Sequence, residues 1–376
     1  MANLDKDLGL KQDAIRFCLI NGYLPFLEVN VENYRELSDT STIITDVDVL
    51  GVAFDITGKT RKIIFDCKTL KNTSPINRAF WASGVMNFLG YDEAFIILRK
   101  KASEAHRLSA KTINVHLFDE DQMKGYAQSF SMNFNIDLSY STDINNWISI
   151  QEVYKTDKTI QKYGEFLASS VPTENDPAKN LRRFIAALQK VKNELDPQKN
   201  KHRAIYLHSL MTFSYIMACL VQQLRGLIDF DYNQNEFTRL LKYYIWGGKD
   251  SFILRHKMRE LISSNDSSIQ NIEPELRNWD DFIELTRSLL DSPNDIIKCC
   301  HVLREFSFLE LSMHDIKKDE QLSMHDIKKD EQLSTLISDN SRIRQFIMIM
   351  ARYLTNSMKM PKDFINDLVS IFDRLR

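Results

Sequence analysis

The chain has 376 residues, with 49 Lys and Arg against 51 Asp and Glu and a formal net charge of −2. Near-neutrality excludes a generally basic nucleic-acid coat but leaves room for local basic patches. Hydrophobic residues at 43% and charged residues at 27% exclude wholesale disorder, and only 11 glycines argue against Gly-rich cofactor loops.

A helical pattern opens the chain over residues 5–21, with Leu8, Ile15 and Leu19 at helical spacing and Gly22 as the stop. Short β-rich runs follow at Tyr23–Val31, Ile43–Asp55, Lys62–Leu70, Ala94–Leu98 and Ile113–Phe118. Between the third and fourth lies a helix: Ser74 is its N-cap, Pro75 its first turn and Gly90 its end. A helix, three strands able to form a meander, a helix and two further strands make an α/β unit. From about Asp143 onward the patterns are helical: 143–169, 177–195, 200–229, 234–262, 279–291, 294–338, 341–357 and 361–375. The predicted division is therefore an α/β domain over 1–140 and an all-α domain over 141–376.

Residues 311–321 read LSMHDIKKDEQ, and residues 322–332 repeat them letter for letter. Eleven residues make about three helical turns, so the duplication lengthens a helix without moving its apolar face. It reads either as a packing surface or as a slippage product. His314 and His325 lie about 16 Å apart along such a helix, too far to share one ion. The apolar stretch Ala204–Val221 is long enough to raise a membrane span, but His208, Ser209, Thr212 and Ser214 within it predict a buried helix and no membrane contact. Five cysteines without a CxxC spacing, and an amino terminus without a signal pattern, predict a reducing cytoplasm.

Gly58-Lys59-Thr60 imitates the end of a phosphate-binding loop. The glycine required five residues earlier is Ala53, and the triplet joins two strands, so it reads as a hairpin turn. No GxSxG, HExxH, GxGxxG or zinc-type Cys/His pattern occurs.

One constellation remains. In Thr45-Asp46-Val47-Asp48-Val49 the strand alternation puts Asp46 and Asp48 on one face; in Phe65-Asp66-Cys67-Lys68 it puts Asp66 and Lys68 on one face. A hairpin centred near Thr57 places Asp48 opposite Asp66. Directly opposed like charges destabilise a strand pair, and a divalent cation would reverse the sign. Mg²⁺ binds through one or two carboxylates together with water and substrate phosphate.

With these residues in this order, residues of about 8–120 resemble the catalytic core of the PD-(D/E)XK nuclease superfamily, the restriction-endonuclease-like fold. The resemblance implies that Asp48 and Asp66 are metal ligands for Mg²⁺ or Mn²⁺ and that Lys68 is the catalytic lysine, with Asp46 assisting. Relatives often place a Glu on the first helix; Gln12 and Asp13 are the weak candidates here. Many carry Glu where this chain has Asp66, and the shorter arm bears on metal position. Arg78 on the second helix is a candidate phosphate contact, as are Arg99, Lys100 and Lys101 after the fourth strand.

The function so implied is metal-dependent hydrolysis of phosphodiester bonds, in DNA more than RNA, in settings such as restriction or anti-invader defence. A homodimer and a protein partner on the helical domain are further expectations. In that domain Lys179–Arg203 and Arg239–Arg259 are locally basic, the second with interleaved aromatics, and suit either nucleic-acid contact or side chains lying over an apolar helix face. The rival readings are an RNA-cleaving enzyme of the same fold and a non-catalytic binding scaffold that keeps the fold.

Overall fold

The computed structural model describes residues 7–33, 40, 42–55, 57–68, 74–132, 134, 139–265, 276–315 and 324–375. The chain divides into two compact units, Met1–Thr173 with Phe308–Leu333, and Glu174–Ser307 with Ser334–Arg376.

In the first unit α1 (Leu8–Ile20) leads into β1 (Leu24–Glu32), β2 (Ile43–Phe54) and β3 (Thr60–Lys68). Then come α2 (Pro75–Leu89), β4 (Glu93–Leu98), α3 (Glu104–Lys111), β5 (Val115–Asp119) and α4 (Glu120–Phe130). The unit continues with α5 (Ile144–Tyr154), α6 (Lys158–Glu165), a π-helical turn (Phe166–Ser170) and the short α7 (Val171–Thr173). The five strands lie in sequence order, β1-β2-β3-β4-β5. The first three pair antiparallel, and β4 and β5 add parallel to β3. A parallel addition needs a crossover, and α2 and α3 supply the two. Pro75 starts α2, and Gly90, at φ 69°, ends it.

The β2–β3 hairpin is turned by Asp55, whose Oδ1 accepts from the backbone N–H groups of Thr57 at 2.8 Å and Lys59 at 2.9 Å. Gly58 takes φ 87° there, so Gly58-Lys59-Thr60 is a turn and not a phosphate loop. Phe65, Phe95 and His116 are neighbours in register on β3, β4 and β5, and their rings stack at 4.9 and 4.6 Å. Phe17 of α1 packs on this row, 5.7 Å from Phe65 and 5.3 Å from Phe95. These rings form the core that fixes α1 against the sheet.

Two helices were absent from the sequence pattern. Only Ala110 of α3, and only Met123 and Ala127 of α4, are buried. Their apolar stripes are too thin to read; their signal lies in the caps, Ser103 and Asp119, each accepting a first-turn N–H. Predicted helix 143–169 breaks at Asp157, which caps α6.

The remaining helices are α8 (Pro177–Val191), α9 (Asn200–Arg225), α10 (Gln234–Ile245), α11 (Lys249–Asn265), α12 (Trp279–Leu290), α13 (Pro293–Asp315), α14 (Met324–Ser338), α15 (Ser341–Met358) and α16 (Asp363–Arg374). The division between units falls inside α13, after Ser307, and inside α14, after Leu333. Gly247 and Gly248, at φ 78° and 110°, separate α10 from α11. Among the described residues α9 is the one helix long and apolar enough to cross a membrane, but 89% of its apolar window is buried within the protein. Its hydroxyls are satisfied locally: Ser209, Thr212 and Ser214 donate to the carbonyls four residues back at 2.7–2.9 Å. The continuity of the duplicated stretch across 316–323, and the side chains of His314 and His325, lie outside the described residues.

Gly51 is where α1 touches β2. A Cβ there would meet Cys18 Sγ at 2.8 Å and Ile63 Cγ1 at 3.0 Å. Gly51→Ala is therefore expected to cost about 1–3 kcal/mol by overpacking, measured as a lowered urea midpoint at unchanged slope.

Candidate functional site

The β2–β3 ladder runs from Phe54–Thr60 to Val49–Phe65 and stops there. One step further Asp48 and Asp66 face each other, as the turn position requires. Here a side chain takes over from the backbone: Asp48 Oδ2 accepts the Cys67 N–H at 2.7 Å. Asp48 and Asp66 are both buried, at 3% and 4% exposure. Such a pair is unfavourable unless cations intervene.

The chain supplies them. Lys68 Nζ lies 3.2 Å from Asp48 Oδ2 and 3.6 Å from Asp66 Oδ1, bridging the two. Arg78, in the first turn of α2, holds both oxygens of Asp66, Nε to Oδ2 and Nη2 to Oδ1, each at 2.5 Å. Its guanidinium also lies over the Trp81 ring, 3.6 Å from the centroid. On the other side, buried Lys11 of α1 lies 3.5 Å from Asp48 Oδ1 and 2.9 Å from Glu28 Oε1. Charges thus alternate along one line: Glu28, Lys11, Asp48, Lys68, Asp66, Arg78.

Glu28 owes its place to the backbone. In the β1–β2 register it falls between Leu27–Val49 and Val29–Val47, level with Asp48. It adopts φ 54° there, a left-handed conformation that is rare for a residue with a long side chain. The break lets Glu28 leave the ladder and meet Lys11.

Burial shapes the electrostatics. Burial pushes the Asp48 carboxyl above its ordinary range, and Lys68, the Cys67 N–H and Lys11 only partly offset this. For Lys68, burial works downward, but Asp48 and Asp66 outweigh it and hold the ammonium above its ordinary value of 10.5. Arg78 behaves likewise: burial lowers its pKa, and the fork to Asp66 more than restores it. The Cys67 thiol, fully buried beside both carboxylates, is pushed far up and is inert as a nucleophile.

The other predicted site residues lie as follows. Asp46 is exposed, and its charge acts on Lys68 and Arg78. Gln12 is half-buried on α1. Asp13 is buried but faces Lys124 of α4 at 3.8 Å, and burial raises its pKa. The α1 contribution to the cluster is a cation, Lys11, directly before Gln12. Arg99, Lys100 and Lys101 are exposed just beyond Leu98, the register partner of Lys68. They follow the end of β4, the strand paired with the one that ends in Lys68.

In the helical unit most basic residues of the two segments have structural partners. Lys179 and Arg183 pair with Glu174 at 3.1 and 3.4 Å. Arg182 donates to the Ile245 carbonyl, and Lys192 to that of Met358 at 2.7 Å. Arg182 and Arg255 both lie over Trp246, at 5.8 and 5.1 Å. A cavity of about 270 Å³ also opens in that unit, lined by Asp281, Glu284, Ser288, Arg352 and Tyr353 among others; none of them belongs to the cluster.

Among the described residues no group of three or more His, Cys, Asp or Glu side chains is arranged to hold a metal ion. The pair Asp48 and Asp66 does fit a hard divalent cation in its chemistry, because two carboxylates already converge on one positive charge, the Lys68 ammonium. No family model matches the chain, and neither a curated protein nor a solved structure matches it.

Asp66→Ala leaves Arg78 and half of Lys68 without counter-charge. Breaking a buried pair from one side costs about 3–5 kcal/mol, so urea unfolding should show a loss of that order, larger than for Asp46→Ala. The raised Lys68 pKa has a defined sign: its stabilising share is fully present below pH 10.5 and is lost as pH climbs through the folded value. The alkaline limb of stability against pH should therefore be shallower in Lys68→Met than in the wild type.

Proposed function

We propose that this chain is a metal-dependent nuclease that hydrolyses phosphodiester bonds in nucleic acid, DNA in preference to RNA. The observation that carries the proposal is the convergence of Asp48 and Asp66 on Lys68, at 3.2 and 3.6 Å, on adjacent strands of a mixed sheet that follows α1. That is the order of elements and acids that the PD-(D/E)XK resemblance implies. Asp48 and Asp66 would hold the Mg²⁺ or Mn²⁺, which when bound would polarise the scissile phosphate and lower the pKa of a water. Lys68, held protonated, stabilises negative charge that develops on the phosphoryl oxygens. Exposed Arg99, Lys100 and Lys101, after the adjoining strand β4, offer charge to the substrate backbone.

A reducing cytoplasm agrees with five free cysteines, of which Cys18, Cys67, Cys299 and Cys300 are buried. Restriction or anti-invader defence is the setting we favour, with the helical unit as partner-binding or dimerising module. For a partner surface, α11 presents Leu254, Met258 and Leu261 at 57%, 56% and 66% exposure on one stripe.

A second reading has its own observation. Each carboxylate of the cluster already has a cation beside it, which is how a catalytically silent scaffold of nucleic-acid- or protein-binding function would keep the same acids folded. Incubation of the protein with plasmid, linear duplex, single-stranded DNA and RNA, in Mg²⁺, Mn²⁺ or EDTA, separates the two. The nuclease reading expects cleavage that EDTA abolishes and that falls by at least about a hundred-fold in Asp66→Asn and in Lys68→Met. Silence of the wild type on all four substrates, with no Mn²⁺-induced rise in melting temperature, leaves the scaffold.

A further inference from the structure

The metal reading has a competitor inside the fold. Arg78 grips Asp66 through both oxygens at 2.5 Å, the fork-on-fork geometry that uses the carboxylate's best lone pairs. Lys68 takes a flank of Asp66 Oδ1 at 3.6 Å. A divalent ion approaches a carboxylate oxygen to about 2.0–2.1 Å and repels a guanidinium bound to the same group. Asp66 cannot serve both at full strength.

Asp48 is situated differently. Its oxygens face the Cys67 N–H and the two lysines, Lys68 at 3.2 Å and Lys11 at 3.5 Å. It has no two-pronged partner in the described structure. Lys68 flanks both acids, but the two-pronged competition falls on Asp66 and comes from one residue, Arg78.

Arg78 also has a second support. The Trp81 ring lies one helical turn along α2, 3.6 Å from the guanidinium. Stacking holds the plane of the group without using its N–H donors. Released from Asp66, the guanidinium would keep its platform and present five donors beside the carboxylates, where a phosphate must bind.

We propose that Arg78 is a two-position residue: it latches Asp66 in the metal-free site and, once a divalent cation takes Asp66, turns on the Trp81 platform to hold the scissile phosphate. The proposal rests on the metal-dependent reading above and deepens it by making metal entry and phosphate capture a single exchange. Arg78 would then oppose metal binding and favour substrate binding, two effects that a merely structural arginine does not combine.

The test is Mn²⁺ affinity, read by calorimetric titration and by electron paramagnetic resonance of free Mn²⁺ in the absence of substrate. Wild type is compared with Arg78→Ala, Arg78→Lys and Asp66→Asn, each checked for folding by circular dichroism. Arg78→Ala should bind Mn²⁺ at least ten-fold more tightly than wild type, while cleavage at saturating Mn²⁺ falls and the substrate KM rises. If Arg78→Ala does not fold, Arg78→Lys carries the same test, because a single ammonium cannot make the fork; a gain of at least three-fold is expected. Equal or weaker Mn²⁺ binding in the folded Arg78 variants, with wild type binding normally and Asp66→Asn not, overturns the latch and leaves the metal site standing. No Mn²⁺ binding by any variant overturns the latch and the metal reading together.

Discussion

Everything distinctive in the first unit turns on how two buried carboxylates, Asp48 and Asp66, are kept side by side. Strand pairing forces them together, and low exposure denies them water. The fold answers with cations from three different elements: Lys11 from α1, Lys68 from β3 and Arg78 from α2. The cluster thus ties the first helix, the hairpin and the crossover helix to one point. Replacing it by apolar residues of similar volume would often be neutral or better for stability. The expense of burying so many charges is what turns attention to chemistry.

The arrangement of the sheet makes that point reachable. Up to β3 the strands run antiparallel, with a tight turn joining β2 to β3; beyond it they run parallel and are joined by helices. The carboxyl ends of β3, β4 and β5 therefore lie together, with Lys68, Leu98 and Asp119 in one register row. Lys68 stands at that end half-buried, and exposed Arg99 to Lys101 follow its register partner Leu98. Asp48, Asp66 and Lys11 sit deep while Lys68 and Arg78 are partly exposed, which gives the site a desolvated floor and a charged rim.

Much of this was legible in the sequence. Period-two alternation and the position of one short turn were enough to set Asp48 against Asp66, because register follows from the turn. Pro75 and Gly90 bounded α2 for the same local reasons. What escaped was long-range or hidden in the backbone. Lys11 and Asp48 are far apart in sequence, and helical spacing alone does not say which polar residue of α1 turns inward. Glu28 sits at a backbone angle that no glutamate announces. Arg78, expected to contact phosphate, holds Asp66 in the structure, a partner that its place on α2 does not announce. Facing carboxylates call for cations, and among the described residues the chain supplies its own.

The bond between Asp48 and the Cys67 N–H has a consequence for how this sequence can drift. It is the last rung of the hairpin, made by a side chain where a carbonyl would ordinarily serve. Whatever the cluster does, β2 and β3 use that rung to stay zipped, so Asp48 is also an architectural residue. Lys68 makes no such bond to the backbone through its ammonium, and its part in the architecture is counter-charge to the two acids. Loss of the Asp48 carboxylate thus opens the hairpin as well as the cluster, whereas loss of the Lys68 ammonium leaves every rung in place and removes only charge.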